Sequence, residues 1–347
     1  MKQEQVPALE FDAVSKVFPV RSPLLGRRIG SIHAVDSASL QIAPGETVGL
    51  VGESGSGKST LGRLAVGLGA PTSGRVLLSG RDVSRLSPSR WRPLRNQSQM
   101  VFQDPYSSFD PRASVGQAIA EPLKVHTDLD HRAIVSRVHD LLGQVQLPTS
   151  YAERYPHELS GGQLQRLALA RALAVNPKLI VADEPLSALD VSTQAQVLRL
   201  LEDLQAELGV AYLFISHDLA LVSHISHRVA VMYLGRIVEL GPGDKVISSP
   251  QHPYSQALLS AVPVPNPAQR RRERIVLRGD PPSPANLPSG CRFHTRCAHA
   301  MDVCRDTDPR ALTVGQVAVA CHLYGDAAAE ASAGPGGTSS GTASAPR

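Results

Sequence analysis

Val48-Gly-Leu-Val-Gly-Glu-Ser-Gly-Ser-Gly-Lys-Ser-Thr60 is the stretch whose reading decides the fold. It reads as a buried apolar strand, then a glycine-rich loop, then the start of a helix. Gly52 to Ser59 fits G-x-x-x-x-G-K-[ST], the loop that cradles nucleotide phosphates. Gly52, Gly55 and Gly57 let the backbone turn tightly and bring its N–H groups against phosphate oxygens. Ser54, Ser56 and Thr60 belong to the same phosphate-binding set. The helix that follows aims its positive N-terminal end at the same anion. Lys58 can reach the β- and γ-phosphates, and the Ser59 hydroxyl can ligand Mg²⁺. A Gly/Ser surface turn is the competing reading, but the strand before and the helical pattern after it argue for a nucleotide site.

Working outward, residues 7–50 alternate apolar and polar in short runs, as expected of an antiparallel sheet feeding the loop strand. Arg75–Ser79 and Gln99–Gln103 read as further strands. From about 105 to 176 the pattern turns helical, with apolar residues at three- and four-residue spacing over 115–125, 131–145 and 162–175. Lys178–Asp183 is a short, fully apolar strand. A helix over 192–208, the strand Ala211–Ser216 and another helix from about Asp218 follow. Strands and helices alternating at this spacing imply a parallel α/β sheet. Val229–Leu234 and Arg236–Leu240, joined at Gly235, read as a hairpin that closes it.

The bulk numbers exclude little. The chain has 347 residues, 42% apolar and 19% charged, enough for two domains. A net charge of +4 from 35 basic and 31 acidic residues is too mild to point to nucleic acid. Basic residues concentrate only at Arg270–Arg274, which reads as a solvated linker face. No signal peptide or 18-residue apolar run is seen, so the expectation is a cytosolic chain, held at a membrane only by a partner. Prolines crowd the stretch from 263 to 288, and the four cysteines lie in 291–321. The last stretch, 325–347, is Ala/Gly/Ser/Thr-rich and is expected to be disordered.

Further motifs occur in a fixed order. The apolar strand ends in Asp183-Glu184, where one carboxylate can hold Mg²⁺ through water and the next can polarise an attacking water as general base. Leu159-Ser-Gly-Gly-Gln163 opens a helix, so Ser160, Gly161, Gly162 and Gln163 form a second anion-binding helix start. With these motifs in this order, the chain resembles the ATP-binding subunits of ABC transporters, and Leu159–Gln163 matches that family's signature motif.

The resemblance implies a P-loop NTPase with a RecA-like parallel-sheet core, an antiparallel β subdomain, a helical signature subdomain (about 105–176) and a small loop-rich C-terminal extension. It implies that Gln103 contacts Mg²⁺ and water and relays to the membrane subunit, and that Ser187–Asp190 crosses a dimer interface. His217 matches the histidine that contacts the γ-phosphate, and Phe18 the aromatic that stacks on adenine, with a core phenylalanine as its other reading. Two such domains pair head to tail in this family, each ATP lying between one P-loop and the other subunit's signature motif. Leu164 departs from the basic residue that members most often carry there.

Gln103–Tyr106, Asp190–Val197, His252–Tyr254 and Ala257–Pro263 further resemble the dipeptide, oligopeptide and nickel importer branch. That implies an ATPase domain over 1–250, an extension over 251–324, two permease subunits, a second ATPase subunit expected to be a paralogue, and an extracytoplasmic solute-binding protein. The expected place is the cytoplasmic face of the plasma membrane; peptides are the expected solute, with nickel chelates or glutathione-like peptides as alternatives. Cys291, Cys297, Cys304 and Cys321 follow C-x5-C-x6-C-x16-C, without the C-x2-C pairs of most zinc sites. The spacing suits a [4Fe–4S] cluster, which some relatives of this branch carry; zinc and unligated buried thiols stay open. A soluble ABC-type ATPase acting on nucleic acid or the ribosome is the rival, but it usually carries long coiled coils or two ATPase domains, and neither is present.

Overall fold

The computed structural model describes residues 5–22, 27–261, 275–277 and 279–325 and holds two sheets. In the first, β1 (Leu9–Arg21) pairs antiparallel with β2 (Arg28–Ile42), Leu9 standing opposite Ile42. The chain then leaves for the second sheet as β3 (Thr47–Val51), passes through α1 (Lys58–Ala65) and returns as β4 (Ser73–Leu78) and β5 (Arg81–Asp82). The order β2-β1-β4-β5 matches the antiparallel sheet expected ahead of the loop. The short helix α2 (Pro88–Trp91) follows and buries Trp91 against Gly67.

The second sheet begins at β6 (Ser98–Val101) and resumes, after the helical block, with β7 (Leu179–Asp183), β8 (Ala211–Ile215), β9 (Arg228–Tyr233) and β10 (Arg236–Pro242). Strands β6, β7, β8, β3 and β9 run parallel in that order, and β10 turns back antiparallel on β9. Every residue of β3, β7 and β8 is buried, as their unbroken apolar runs require when helices cover both faces. Between the strands stand α6 (Val191–Leu208) and α7 (Leu219–Ile225). Gly49 of β3 allows α7 this close, since a Cβ there would meet Val222 and Ser226 at 2.4 Å.

The helical block is α3 (Val115–His126), α4 (His131–Gln144) and α5 (Gly161–Leu173). Each starts on a sequence signal: Ser114 with Gln117, Asp130, and Ser160 with Gln163 accept or return the first-turn N–H bonds. Ile119, Leu123, Leu141, Leu142, Leu164 and Leu167 are all at most 1% exposed and share one core with the parallel sheet. Full burial of such a side chain stabilises by about 1.5–3 kcal/mol. The block is therefore fastened to the sheet by packing rather than by its caps.

The C-terminal part departs from its expectation as merely loop-rich. After α8 (Gly243–Ser248) and α9 (Pro253–Ser260), and beyond α10 (Val303–Asp306), the hairpin β11 (Ala311–Val314) and β12 (Val317–Ala320) joins the main sheet. Val319 pairs with Glu239 and Ala318 with Leu240, making eight strands in all. These two short runs escape a sequence reading because they have too few residues to show periodicity, and their partner in β10 is 78–80 residues away. The segment from Ile275 to Met301 does hold no helix or strand among its described residues. Arg270–Arg274 and the 326–347 part of the tail, about which the sequence raised expectations, lie outside the described residues. Among the described residues no helix is long and apolar enough to cross a membrane.

Candidate nucleotide-binding site

The glycine loop leaves β3 at Gly52 and enters α1 at Gly57. Both adopt backbone conformations that favour glycine, with φ 153° and 106°. A Cβ on Gly52 would lie 2.1 Å from the Met232 carbonyl oxygen, and one on Gly57 2.0 Å from that of Ala34. At both ends of the loop, therefore, a side chain would strike neighbouring backbone.

Lys58 is 5% exposed and its Nζ donates to the carbonyls of Gly52 (2.8 Å) and Glu53 (2.9 Å). Burial pushes its pKa down, while Glu184, Asp183 and Glu53 oppose the shift. In this position the ammonium is held by the carbonyls of its own loop. Ser59 Oγ donates to Asp183 Oδ1 at 2.9 Å. Burial raises the Asp183 pKa, and the Ser59 hydroxyl and nearby cations hold it down.

Glu184 follows at the end of β7 with φ 48°, left-handed for a non-glycine residue. Its N–H is held by the Ile215 carbonyl at 2.9 Å. Gln103 Nε2 donates to Glu184 Oε2 at 3.0 Å, and His217 Nδ1 stands 3.2 Å from the same oxygen. Strain of this kind at a carboxylate flanked by two polar side chains is a mark of a working position. The three sequence-separated residues meet because β6, β7 and β8 all end at the same sheet edge, where parallel α/β sheets bind ligands.

These groups share one cleft of about 620 Å³, lined by Ser54, Gly55, Gly57, Lys58, Ser59, Thr60, Gln103, Glu184 and His217. Gly52, Ser56 and Asp183 stand behind its wall. Ile32, Ala34 and Pro284 complete the lining and went unread in the sequence, which carries no local sign of them. Phe18 is not part of the lining. It is 43% exposed under the Lys16 ammonium, and its cross-strand partner Ile32 is the residue that reaches the cleft.

The signature residues lie elsewhere. Ser160 caps α5 and accepts the Gln163 N–H, Gln163 Oε1 accepts the Ser160 N–H, and Gln163 Nε2 donates to the Tyr151 hydroxyl. Ser160 is exposed, and none of Ser160–Gln163 lines the chain's own cleft. Gly162 sits against Thr193, whose Cγ2 would be 2.4 Å from a Cβ there. Asp190 caps α6, and its bonds to Ser192 and Thr193 hold its carboxyl well below the usual range. Leu164, the departure from the family pattern, faces inward and is fully buried.

Among the described residues no group of three or more His, Cys, Asp or Glu side chains stands close enough to hold a metal ion. Cys291, Cys297, Cys304 and Cys321 nonetheless gather in one locality: Cys291 N–H donates to the Cys304 carbonyl at 2.9 Å, and the thiols feel one another's charge. Cys304 and Cys321 are buried, and burial pushes Cys321 up to about 11.

Two family profiles match the chain: ABC transporter over residues 35–187, and oligopeptide/dipeptide transporter, C-terminal region, over residues 238–304. The chain is 51% identical over 323 residues to the oligopeptide transport ATP-binding protein AppF of Bacillus subtilis, covering 92% of this chain and 98% of AppF. It is 51% identical over 322 residues to the probable peptide ABC transporter ATP-binding protein y4tS of Sinorhizobium fredii, covering 92% and 91%. Against the glutathione import ATP-binding protein GsiA of Escherichia coli it is 52% identical over 281 residues, 81% of this chain and 45% of GsiA. Among solved structures, cbiO1 of Clostridium perfringens, part of the ABC transporter complex cbiONQ, superposes with a TM-score of 0.61 at 29% identity, covering 70% and 91%. The dimeric ATP-binding cassette MJ0796 bound to ADP and Pi gives a TM-score of 0.61 at 28% identity, covering 67% and 98%.

Proposed function

The chain belongs to the ATP-binding proteins of ABC transporters, in the oligopeptide/dipeptide branch, and we propose that it is the energy-coupling ATPase of a peptide importer. The observation that carries the mechanism is the convergence of Gln103 and His217 on Glu184 beside the Lys58–Ser59–Asp183 cluster. In this reading the loop N–H groups and Lys58 bind the ATP phosphates, Glu184 takes the proton of the attacking water, and His217 orients Glu184 and reaches the γ-phosphate. Ser59, Asp183 and Gln103 offer hard oxygen donors of the kind that suits Mg²⁺. Bound with ATP, that ion neutralises charge on the phosphate oxygens.

In this reading the signature helix of a second ATPase covers the cleft. Ser160, Gly161 and Gly162, exposed or half-buried at the start of a 13-residue helix, suit a γ-phosphate presented by a partner. The reading is therefore a head-to-tail dimer, with a paralogue as the partner, that closes on two ATP molecules. Leu68 and Val125, 55% and 50% exposed, flank a groove between the α1 side and α3 that suits apolar permease segments. Docking there places the chain on the cytoplasmic face of the membrane, and the solute, delivered by an external binding protein, never touches it. Peptides are the proposed solute; glutathione or a nickel chelate is the second reading, the first of these favoured by the likeness to GsiA.

Co-expression with candidate peptide permeases, solubilisation in detergent and affinity purification test this. The expected result is a complex of permeases and two ATPase chains whose ATP hydrolysis rises when the peptide-loaded binding protein is added. Recovery instead with nucleic acid at moderate salt overturns the reading.

For the cysteines we infer a [4Fe–4S] cluster that assembles its ligands on binding. Support comes from the all-thiol donor set, the spacing and the shared locality of the four side chains. Iron and sulfide assays and a visible spectrum on anaerobically purified protein should show about four of each per chain. Colourless, zinc-loaded protein would exclude it.

A further inference from the structure

Glu53, the first variable residue of the glycine loop, is gripped from the C-terminal extension at two points. Its carboxylate accepts two hydrogen bonds from Arg296, Nη1 to Oε2 at 2.8 Å and Nη2 to Oε1 at 3.1 Å. Its backbone N–H donates to the Tyr254 hydroxyl at 2.8 Å. The third polar group of the same residue, its carbonyl, accepts from Lys58 Nζ at 2.9 Å. One residue thus links the Lys58 ammonium to two side chains that lie 201 and 243 residues further on.

Both outer partners are rigid. Tyr254 is fully buried, with its ring 4.6 Å from Tyr233 and 5.4 Å from Phe293. The Arg296 side chain is 7% exposed and the Glu53 side chain 29%, so water competes weakly for this fork-to-fork pair. Arg296 directly precedes Cys297 in the chain. The extension also reaches the front of the cleft: the Pro284 carbonyl accepts the His33 N–H at 3.1 Å, and Pro284 stands in the lining beside Ala34.

We propose that Arg296 and Tyr254 are positioning residues of the nucleotide site, holding the glycine loop in its phosphate-ready shape through Glu53. Neither side chain reaches the cleft. Their effect passes through the backbone of Gly52–Glu53, whose carbonyls aim Lys58. A loop that must be ordered at the moment of binding binds more weakly, by the fraction of time it spends in the competent shape. The extension then does more than cover the sheet edge: it sets the affinity for ATP. The proposal rests on the reading of this cleft as the ATP site.

Titration of Mg-ATP onto the purified full-length chain tests it, with Arg296→Ala, Glu53→Gln and Tyr254→Phe compared with the unaltered protein. Each variant should raise the Kd for Mg-ATP by roughly three- to tenfold. Arg296→Ala combined with Glu53→Gln should be no worse than either alone, because both break the same pair. Arg296→Lys, which keeps the charge and loses the fork, should recover part of the affinity. A purely structural Arg296 would lower the melting temperature and leave the Kd of the folded chain unchanged. Should Arg296→Ala fail to fold, Glu53→Gln and Tyr254→Phe, which leave the extension's charge and packing in place, carry the test. Kd values within twofold of the unaltered chain for the folded variants, or additive effects of the Arg296 and Glu53 changes, overturn the proposal. If the unaltered chain itself does not bind Mg-ATP, the assignment of the cleft fails instead.

Discussion

His217 Nδ1 stands 3.2 Å from Glu184 Oε2, although the two come from the ends of different strands. The same oxygen accepts from Gln103 Nε2 at 3.0 Å, so two polar side chains hold Glu184 in one orientation. In the proposed mechanism such preorganisation lowers the cost of the proton transfer rather than the cost of binding.

Replacing Glu184 by Gln keeps the shape of the side chain and removes the base. ATP hydrolysis by the assembled transporter should fall by roughly 10²–10⁴-fold. ATP-bound dimer should accumulate at the same time, read as phosphate release and as elution volume with Mg-ATP present. Hydrolysis within a fewfold of the unaltered complex would remove Glu184 from the mechanism.

Gly161→Asp separates the two halves of the composite site. A Cβ at Gly161 meets only the tip of Leu189, at 3.3 Å, so the helix accommodates the change. The new carboxylate would face the partner's phosphates. Monomer titrations with Mg-ATP should match the unaltered chain, while turnover by a complex carrying the change in both ATPases should drop at least tenfold by charge repulsion. Full turnover would mean that α5 does not face a nucleotide.

The two loop glycines Gly55 and Gly57 should respond differently to alanine. At Gly57 the new methyl would lie 2.0 Å from a carbonyl oxygen, whereas at Gly55 nothing stands within 4 Å. Gly55→Ala should cost only the left-handed backbone, about 1 kcal/mol. Gly57→Ala must also move the backbone of β2 or α1 and should cost about 1–3 kcal/mol more. Denaturation of the nucleotide-free variants gives both values, and equal costs would contradict the geometry.

His252 makes stability depend on acidity. It is 1% exposed, its Nδ1 accepts the Tyr254 N–H, and burial brings its pKa down to about 4. As pH falls below about 6.5 the unfolded chain takes up a proton there that the folded chain refuses until about 4. Stability is therefore lost across that window, by on the order of 3 kcal/mol. Glu239, whose carboxylate accepts the His252 N–H, is pushed up by burial and acts in the opposite sense. His252→Asn keeps a capping acceptor and keeps Glu239, so urea midpoints at pH 7 and pH 4.5 should differ less in the variant. An unchanged difference would mean that His252 is not the titrating group.

Much of the site was legible before any coordinates, and the reason is local. A phosphate cradle built from backbone N–H groups needs glycines at fixed spacing between a strand and a helix. Gly52–Thr60 and Leu159–Gln163 must therefore advertise themselves within a few residues. Asp183-Glu184 could be read because it ends a short apolar strand behind the glycine loop, and parallel strands end at one edge; His217 was assigned through the family resemblance. The helices of 115–173 were visible in their three- and four-residue period.

What stayed hidden depends on groups that meet only after folding. Phe18 and Ile32 stand opposite each other across β1 and β2, and only the folded chain shows that Ile32 and not Phe18 lines the cleft. The hairpin of β11 and β12 has no pattern of its own and becomes part of the sheet only by pairing with β10. The grip of Arg296 and Tyr254 on Glu53 joins one residue to two distant side chains, and no spacing rule records it. The sequence alone determined that this chain binds a nucleotide through a glycine loop, since that chemistry is written in contiguous backbone. Only the tertiary structure decided that the C-terminal extension holds that loop, because a long-range ion pair has no local signature.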